Sequence, residues 1–206
     1  MSGKIKKRMV EGYEVTQGIR IGDKEVVFGV DEKAELPYLC ALYADNGLFE
    51  SYHECMAGDD YAEVMELFAD RVKAQCVKVH EEQAKMTVPR VKITAEMCTP
   101  MYKCGDIVGK VMAVKAGTLR PEYRFAQHQL VYVTGGNGAR EGALGNACYC
   151  IALYSGDHER WERYDLQGEV KPEALPEWAK ERLVEIQKQQ AEKNIQNQER
   201  RQGCVR

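Results

Sequence analysis

The stretch from residue 60 to 86 constrains the fold of this chain more than any other. Gly58-Asp59-Asp60 opens it, with Asp60 placed to accept free backbone amides and Glu63 at the reciprocal position of a capping box. Tyr61, Val64, Met65, Phe68, Val72, Cys76 and Val79 then recur at three- and four-residue intervals, which puts them on one side of a helix. Pro89 bounds the element after Thr87-Val88. A single apolar stripe of this length needs a sheet or a second helix to cover it. The preceding residues offer a small antiparallel sheet. Gly12–Ile21 alternates through Tyr13, Val15 and Ile19, Gly22-Asp23 signals a turn, and Glu25–Val30 and Tyr38–Ala44 are apolar strands. Asn46-Gly47 predicts a hairpin turn, with Leu48–Cys55 returning along the previous strand. On that returning strand Phe49 and His53 are expected opposite Tyr52, and His53 and Cys55 on one face.

After Pro89 the signals are shorter. Val91–Thr94 predicts one strand, and Cys98-Thr99-Pro100 and Cys104-Gly105-Asp106 predict loop. Ile107–Lys115, Gln129–Thr134 and Ala147–Tyr154 follow as strands. In the last, Cys148 and Cys150 face one way and Ile151 and Leu153 the other, the pattern of a strand covered on both sides. Ser155-Gly156-Asp157 turns into a further strand, Glu159–Tyr164. Pro172 and Pro176 lead into a helix on which Trp178, Leu183 and Ile186 share a face, with fraying expected over Gln187–Gln202. The expected class is α+β, with antiparallel or mixed sheets packed against a long central helix and a C-terminal helix. Residues 1–88 read as a sheet plus long helix, 89–106 as a linker, and 107–206 as a strand-rich domain with a terminal helix. A single domain is the alternative.

At 206 residues, 44% hydrophobic and 30% charged, the chain suffices for one substantial core or two small ones. It has no run of 18 apolar residues, which excludes a membrane span, and its basic start is not followed by an apolar signal segment. Cytoplasmic residence is the default expectation. The charges are segregated along the sequence: residues 31–70 hold one lysine against eleven carboxylates, a net of −10, on a chain whose total is −3. Residues 71–130 reverse this, with eleven Lys/Arg against five Asp/Glu. Such blocks select charged partners without specifying a fold. Asp45, Glu50, Glu54, Asp59, Asp60, Glu63, Glu66 and Asp70 are the candidate partner-binding acidic surface.

The loop holding Gly135, Gly136, Asn137, Gly138, Arg140, Gly142 and Gly145 is the most unusual local feature. It reads as a long mobile hairpin connection. Contact with a macromolecular partner, or an anion cradled by backbone amides with Arg140 beside it, are the alternatives. It lacks the Gly-Lys-Ser/Thr ending of a phosphate-binding loop. Lys115, Arg120, Arg124, Trp161 and Arg163 are basic or aromatic contact candidates, with local ion pairing at Glu122 and a core-edge anchor at Trp161 as the plainer readings. Eight cysteines contain no C-x-x-C and sit beside only four histidines, so reduced, buried thiols are expected rather than a metal site. No cofactor is expected. Ser155 with Asp157 and His158, and Cys55 with His53, lack the wider setting of a nucleophilic site, so the protein is not read as an enzyme.

Gly109-Lys110-Val111-Met112-Ala113-Val114, Leu119-Arg120-Pro121-Glu122-Tyr123-Arg124, Gln129-Leu130, Thr134-Gly135-Gly136-Asn137-Gly138-Ala139 and Leu175-Pro176-Glu177-Trp178-Ala179-Lys180-Glu181 together resemble a domain associated with large polyvalent proteins of phages and conjugative elements. Similar stand-alone proteins occur in gut Firmicutes. The likeness covers about residues 107–186, with the first half weaker, and carries over no catalytic residue. Leu144-Gly145-Asn146 departs from the arginine-glycine arrangement of similar domains. The resemblance implies a protein that travels with mobile DNA. The expected function is non-enzymatic inhibition of a host defence nuclease, in the manner of an anti-CRISPR protein, with a Cas nuclease or another nucleic-acid-binding complex as partner. The alternatives are a structural or regulatory interaction module of a mobile element, or an accessory protein that binds nucleic acid directly. A monomer or small homo-oligomer is expected.

Overall fold

A computed structural model describes residues 7–45 and 49–203, the side chains of 193–203 excepted. The chain divides into two compact units, the first ending at Thr87 and the second starting at Val88.

The first unit is an antiparallel meander of β1 (Met9–Val10), β2 (Tyr13–Ile21), β3 (Lys24–Val30), β4 (Tyr38–Asp45) and β5 (Glu50–Gly58), hydrogen-bonded in that order, followed by α1 (Tyr61–Ala84). Glu11 and Gly12, at φ 48° and 97°, form the two-residue turn joining β1 to β2, where both positions need left-handed backbone. The Asn46-Gly47 turn expected between β4 and β5 lies outside the described residues, but the flanking pair Asp45 and Glu50 is in register. Strand alternation divides the side chains. Val26, Phe28, Cys40 and Leu42 face α1 and pack on Val64 and Phe68, while Val27, Ala41 and Tyr43 form a separate cluster with Val15, Tyr52 and Cys55. Asp60 caps α1 as expected, accepting the amides of Ala62 at 2.7 Å and Glu63 at 3.1 Å. Phe28 anchors the contact, edge-on to Tyr61 and Phe68 with ring centroids 5.6 and 6.2 Å away. Truncating such a fully buried ring costs about 3–5 kcal/mol.

The second unit holds a six-stranded antiparallel sheet of β6 (Cys98–Pro100), β7 (Val111–Val114), β8 (Leu130–Gly135), β9 (Ala147–Ala152), β10 (His158–Glu162) and β11 (Leu166–Val170), in the order β10-β9-β8-β7-β11-β6. The short α2 (Ala126–Gln129) and the long α3 (Glu177–Gly203) complete it. The two faces of β9 carry separate cores. Cys148 and Cys150 join one with Met112, Val114, Val133 and Leu166, and Ile151 and Leu153 join the other, where Ala179 and Ile186 of α3 pack. The backbone of α3 stays helical to Gly203, through the stretch 187–202 expected to fray. That stretch is rich in Gln, Glu, Lys and Arg, all good helix formers.

Residues 89–106, expected as a linker, are instead held by the second unit. Val91–Thr94 forms no strand because a side chain replaces the partner strand. Gln129 Oε1 accepts the Ile93 amide at 2.9 Å, and its Nε2 donates to the carbonyls of Ile93 at 3.1 Å and Val114 at 3.3 Å. Gln127 Nε2 donates to Pro89 O at 3.0 Å, and the Ala126 amide to Val91 O at 2.6 Å.

Candidate functional site

All eight acidic candidates are exposed. They are spread along β5 and along the solvent side of α1 rather than gathered in a single patch. Asp45 and Glu50 face each other across β4 and β5. Asp59 and Asp60 follow the other end of β5, which is about 26 Å away at the rise of an extended strand. Glu54 lies between, and Glu63, Glu66 and Asp70 continue along one exposed flank of α1 at spacings of three and four. Glu54 sits at φ 51° in a β-bulge, where the register slips between Cys40 and Leu42. Bulges on an edge strand discourage pairing with another strand. Among the described residues Glu50, Glu54, Asp59, Glu63, Glu66 and Asp70 form no ion pair within 4.0 Å.

The same bulge corrects the expected face of Cys55. His53 pairs with Leu42 and shares the α1 side, whereas the extra residue turns Cys55 into the opposite cluster with Ala41 and Tyr43. His53 Nε2 instead lies 2.8 Å from Ser51 Oγ. Ser155 Oγ accepts the amide of Asp157 at 3.2 Å in a turn.

The basic and aromatic candidates are engaged within the second unit. Arg163 spans three backbone carbonyls: Nη1 donates to Gly138 O at 2.7 Å, and Nη2 to Cys104 O at 2.7 Å and Gly105 O at 2.9 Å. Arg124 Nε donates to Leu119 O at 3.0 Å, and Lys115 Nζ to Tyr164 O. Trp161 packs at the margin of the core that holds Cys148, and its Nε1 donates to Glu159 at 2.7 Å. Arg120 is half-buried, and its carbonyl accepts the Tyr123 amide at 2.9 Å.

The glycine loop is packed over its first half. A Cβ on Gly136 would meet Ala147 O at 2.2 Å and one on Gly138 would meet Asn146 O at 2.1 Å, so these glycines serve backbone approach. Gly138 and Ala139 are buried, and the Ala139 carbonyl accepts the Ile107 amide at 2.8 Å. Arg140–Leu144 forms a continuous exposed tip, tied by the Glu141 amide to Asp106 at 2.7 Å. A mobile loop is therefore the wrong picture for residues 136–139.

Seven cysteines are free, and no group of three or more His, Cys, Asp or Glu that could hold a metal ion occurs among the described residues. Burial raises the thiol pKa of Cys40, Cys98 and Cys148, and pushes Cys150 up to about 12. Such thiols remain protonated and unreactive near neutrality. Cys204 lies outside the described residues. No helix among them is long and apolar enough to cross a membrane.

One constellation had no sequence signal. Arg8, just before β1, donates to Tyr52 Oη at 2.9 Å and to Glu25 at 2.7 Å, and its guanidinium lies 4.0 Å from the Tyr43 ring centroid. These partners stand up to 44 positions away in the chain, so no local spacing announces them. Compared with known proteins, the chain matches no family model, no curated protein and no solved structure.

Proposed function

We propose that this protein is a non-enzymatic inhibitor that occupies the basic, nucleic-acid-binding surface of another protein, with a host defence nuclease as the target class. The acidic residues along β5 and the flank of α1 form the binding surface. One observation carries the reading: six of its carboxylates are exposed and form no ion pair among the described residues, while acids elsewhere, such as Glu25 and Glu169, do. Carboxylates held ready in water attract a basic surface and steer its approach, an effect that salt weakens. The target would be blocked by occupancy of a channel that otherwise holds nucleic acid.

The test is cleavage of a DNA target by a purified RNA-guided nuclease, with and without this protein. The comparison variant carries Glu50, Glu54, Glu63 and Glu66 changed to Gln and Asp59 to Asn, leaving the helix cap Asp60 intact. Wild type is expected to suppress cleavage, less so as salt rises, and the variant to suppress it at least tenfold less. Equal potency of the two proteins would overturn the role of these carboxylates. Unimpeded nucleases, together with direct binding to a conjugation or replication protein, would favour an interaction module of the mobile element.

A further inference from the structure

The N-terminal sheet is covered differently on its two sides. α1 lies over Val26, Phe28, Cys40 and Leu42, while on the opposite side Val27, Ala41 and Tyr43 are buried with Val15, Tyr52 and Cys55, all strand residues, packed against them. Arg8 helps to cover this side. Its carbonyl accepts the Val15 amide at 2.9 Å, which fixes its backbone against β2, and its side chain reaches Glu25 on β3, Tyr43 on β4 and Tyr52 on β5. A second arginine reaches two of these groups. Arg20 Nε lies 3.5 Å from the same Glu25 carboxylate, and its guanidinium lies 5.5 Å from the same Tyr43 centroid.

Glu25 divides its carboxylate between the two arginines, with Oε1 2.7 Å from Arg8 Nη1 and Oε2 3.5 Å from Arg20 Nε. Its carboxylate lies over Gly18, where a Cβ would meet Oε1 at 2.3 Å, so the absent side chain of β2 makes its seat. Two of the three guanidinium nitrogens of Arg8 are used, and the third, Nη2, is buried with no acceptor among the described residues. Arg8 and Arg20 both line a cavity of about 630 Å³ on this side of the sheet. Its walls carry Arg8 and Arg20 against Glu25 and Glu50, with Lys7 engaged by Glu14 at 2.6 Å, so the cations a ligand would meet are the two guanidinium groups. Arg8 holds its proton firmly: burial, which would lower its pKa, is outweighed by its bonds to Tyr52 and Glu25.

We propose that this cavity binds an oxyanion, the carboxylate or phosphate group of a small ligand, between the guanidinium groups of Arg8 and Arg20. Guanidinium donors match the paired oxygens of either group, and the Tyr43 ring beneath strengthens the attraction by excluding water from one side. Arg20 on β2, tethered to Glu25 only at 3.5 Å where Arg8 makes bonds of 2.7 and 2.9 Å, is the movable half of the clamp, and an oxygen entering beside it would reach Arg8 Nη2. The proposal shares only Glu50 with the acidic surface, does not rest on that reading and survives if it fails.

The experiment follows the Nε–Hε resonances of Arg8 and Arg20 in the ¹⁵N spectrum of the full chain. Sodium phosphate, sodium acetate and sodium chloride are titrated separately at matched ionic strength. Saturable shifts of both signals with phosphate or acetate, and not with chloride, are expected. Saturation by phosphate alone assigns a phosphoryl group, and saturation by acetate alone or by both assigns a carboxylate-competent site. In Arg20→Gln, with its amide spectrum otherwise that of the folded wild type, the apparent affinity is expected to fall at least tenfold. Arg20 is used because an Arg8 variant removes three contacts of the sheet. Linear shifts in all three salts, no shift at all, or an affinity unchanged by R20Q would overturn the proposal.

Discussion

The acidic block of residues 31–70 and the basic block of 71–130 are opposite in charge, and they also differ in how the fold uses them. Carboxylates of the first stand exposed without ion pairs at Glu50, Glu54, Asp59, Glu63, Glu66 and Asp70. Several cations of the second turn onto the protein itself. Arg71 donates to Cys40 O at 3.0 Å, Lys110 pairs with Glu169 at 2.8 Å, Arg124 and Lys115 hold carbonyls, and Arg90 and Lys92 lie over the Phe125 ring. The difference follows from chemistry. A lysine or arginine is a long donor able to reach carbonyl oxygens, which keep a spare lone pair even within secondary structure. A carboxylate only accepts, and most backbone amides in helix and strand are already committed, so it finds a backbone partner mainly where amides are free, as at the α1 cap on Asp60 and at the loop amide bonded to Asp106. Linear charge therefore predicts an acidic surface better than a basic one.

Breaking the inward side should cost most. Arg163→Ala strands the carbonyls of Cys104, Gly105 and Gly138, and about 3 kcal/mol of stability is expected to disappear, read from the urea midpoint. If the midpoint hardly moves, Arg163 is a surface cation after all. Gly138→Ala places a Cβ where Asn146 O stands and should cost about 2 kcal/mol in the same measurement. Tolerance of alanine there would show that the loop yields.

Glu159 gives a smaller, pH-dependent effect. Burial raises its carboxyl pKa, although the Trp161 bond pulls the other way. The folded state thus keeps a proton that the unfolded state has already released, and stability falls as pH rises from the ordinary carboxylate range through the raised value. Glu159→Gln stays neutral throughout, so its stability relative to wild type should climb across that window and then level off. A difference independent of pH would contradict the assignment.

The smallest effect on stability is expected on the outward side. Changing Glu54, Glu63 and Glu66 to Gln and Asp70 to Asn takes the formal charge from −3 to +1, with the melting free energy altered by no more than about 0.5 kcal/mol per site. A larger loss in a thermal scan would mean that these carboxylates have structural partners.

Much of the fold was legible because its signals are local. The stripe and cap of α1, the turn at Gly22-Asp23 and the two-faced pattern of β9 all lie within a few residues of sequence. β11 was missed for a physical reason: Gly168 interrupts the run Leu166–Val170, and a glycine between strand residues reads as a break. It is there because the β6 backbone approaches so closely that a Cβ would meet Thr99 O at 2.1 Å. β6 itself, three residues ending in proline, carries almost no pattern. At the candidate site, exposure followed from charge and loop context. The employment of Arg163 did not, since its carbonyl partners lie 25 to 59 positions away, and the Glu54 bulge had no glycine to betray it.

The late strand β11 has a consequence for synthesis. In the N-terminal meander each new strand joins the one before it, so that sheet condenses as it leaves the ribosome. In the second sheet β11 sits between β7 and β6; β7 has β8 on its other side, but β6 has no strand partner until β11 arrives. At about 5–20 residues per second the interval from β6 to β11 lasts roughly 3–13 s. Whatever chaperone this chain recruits during translation has its work in the second half.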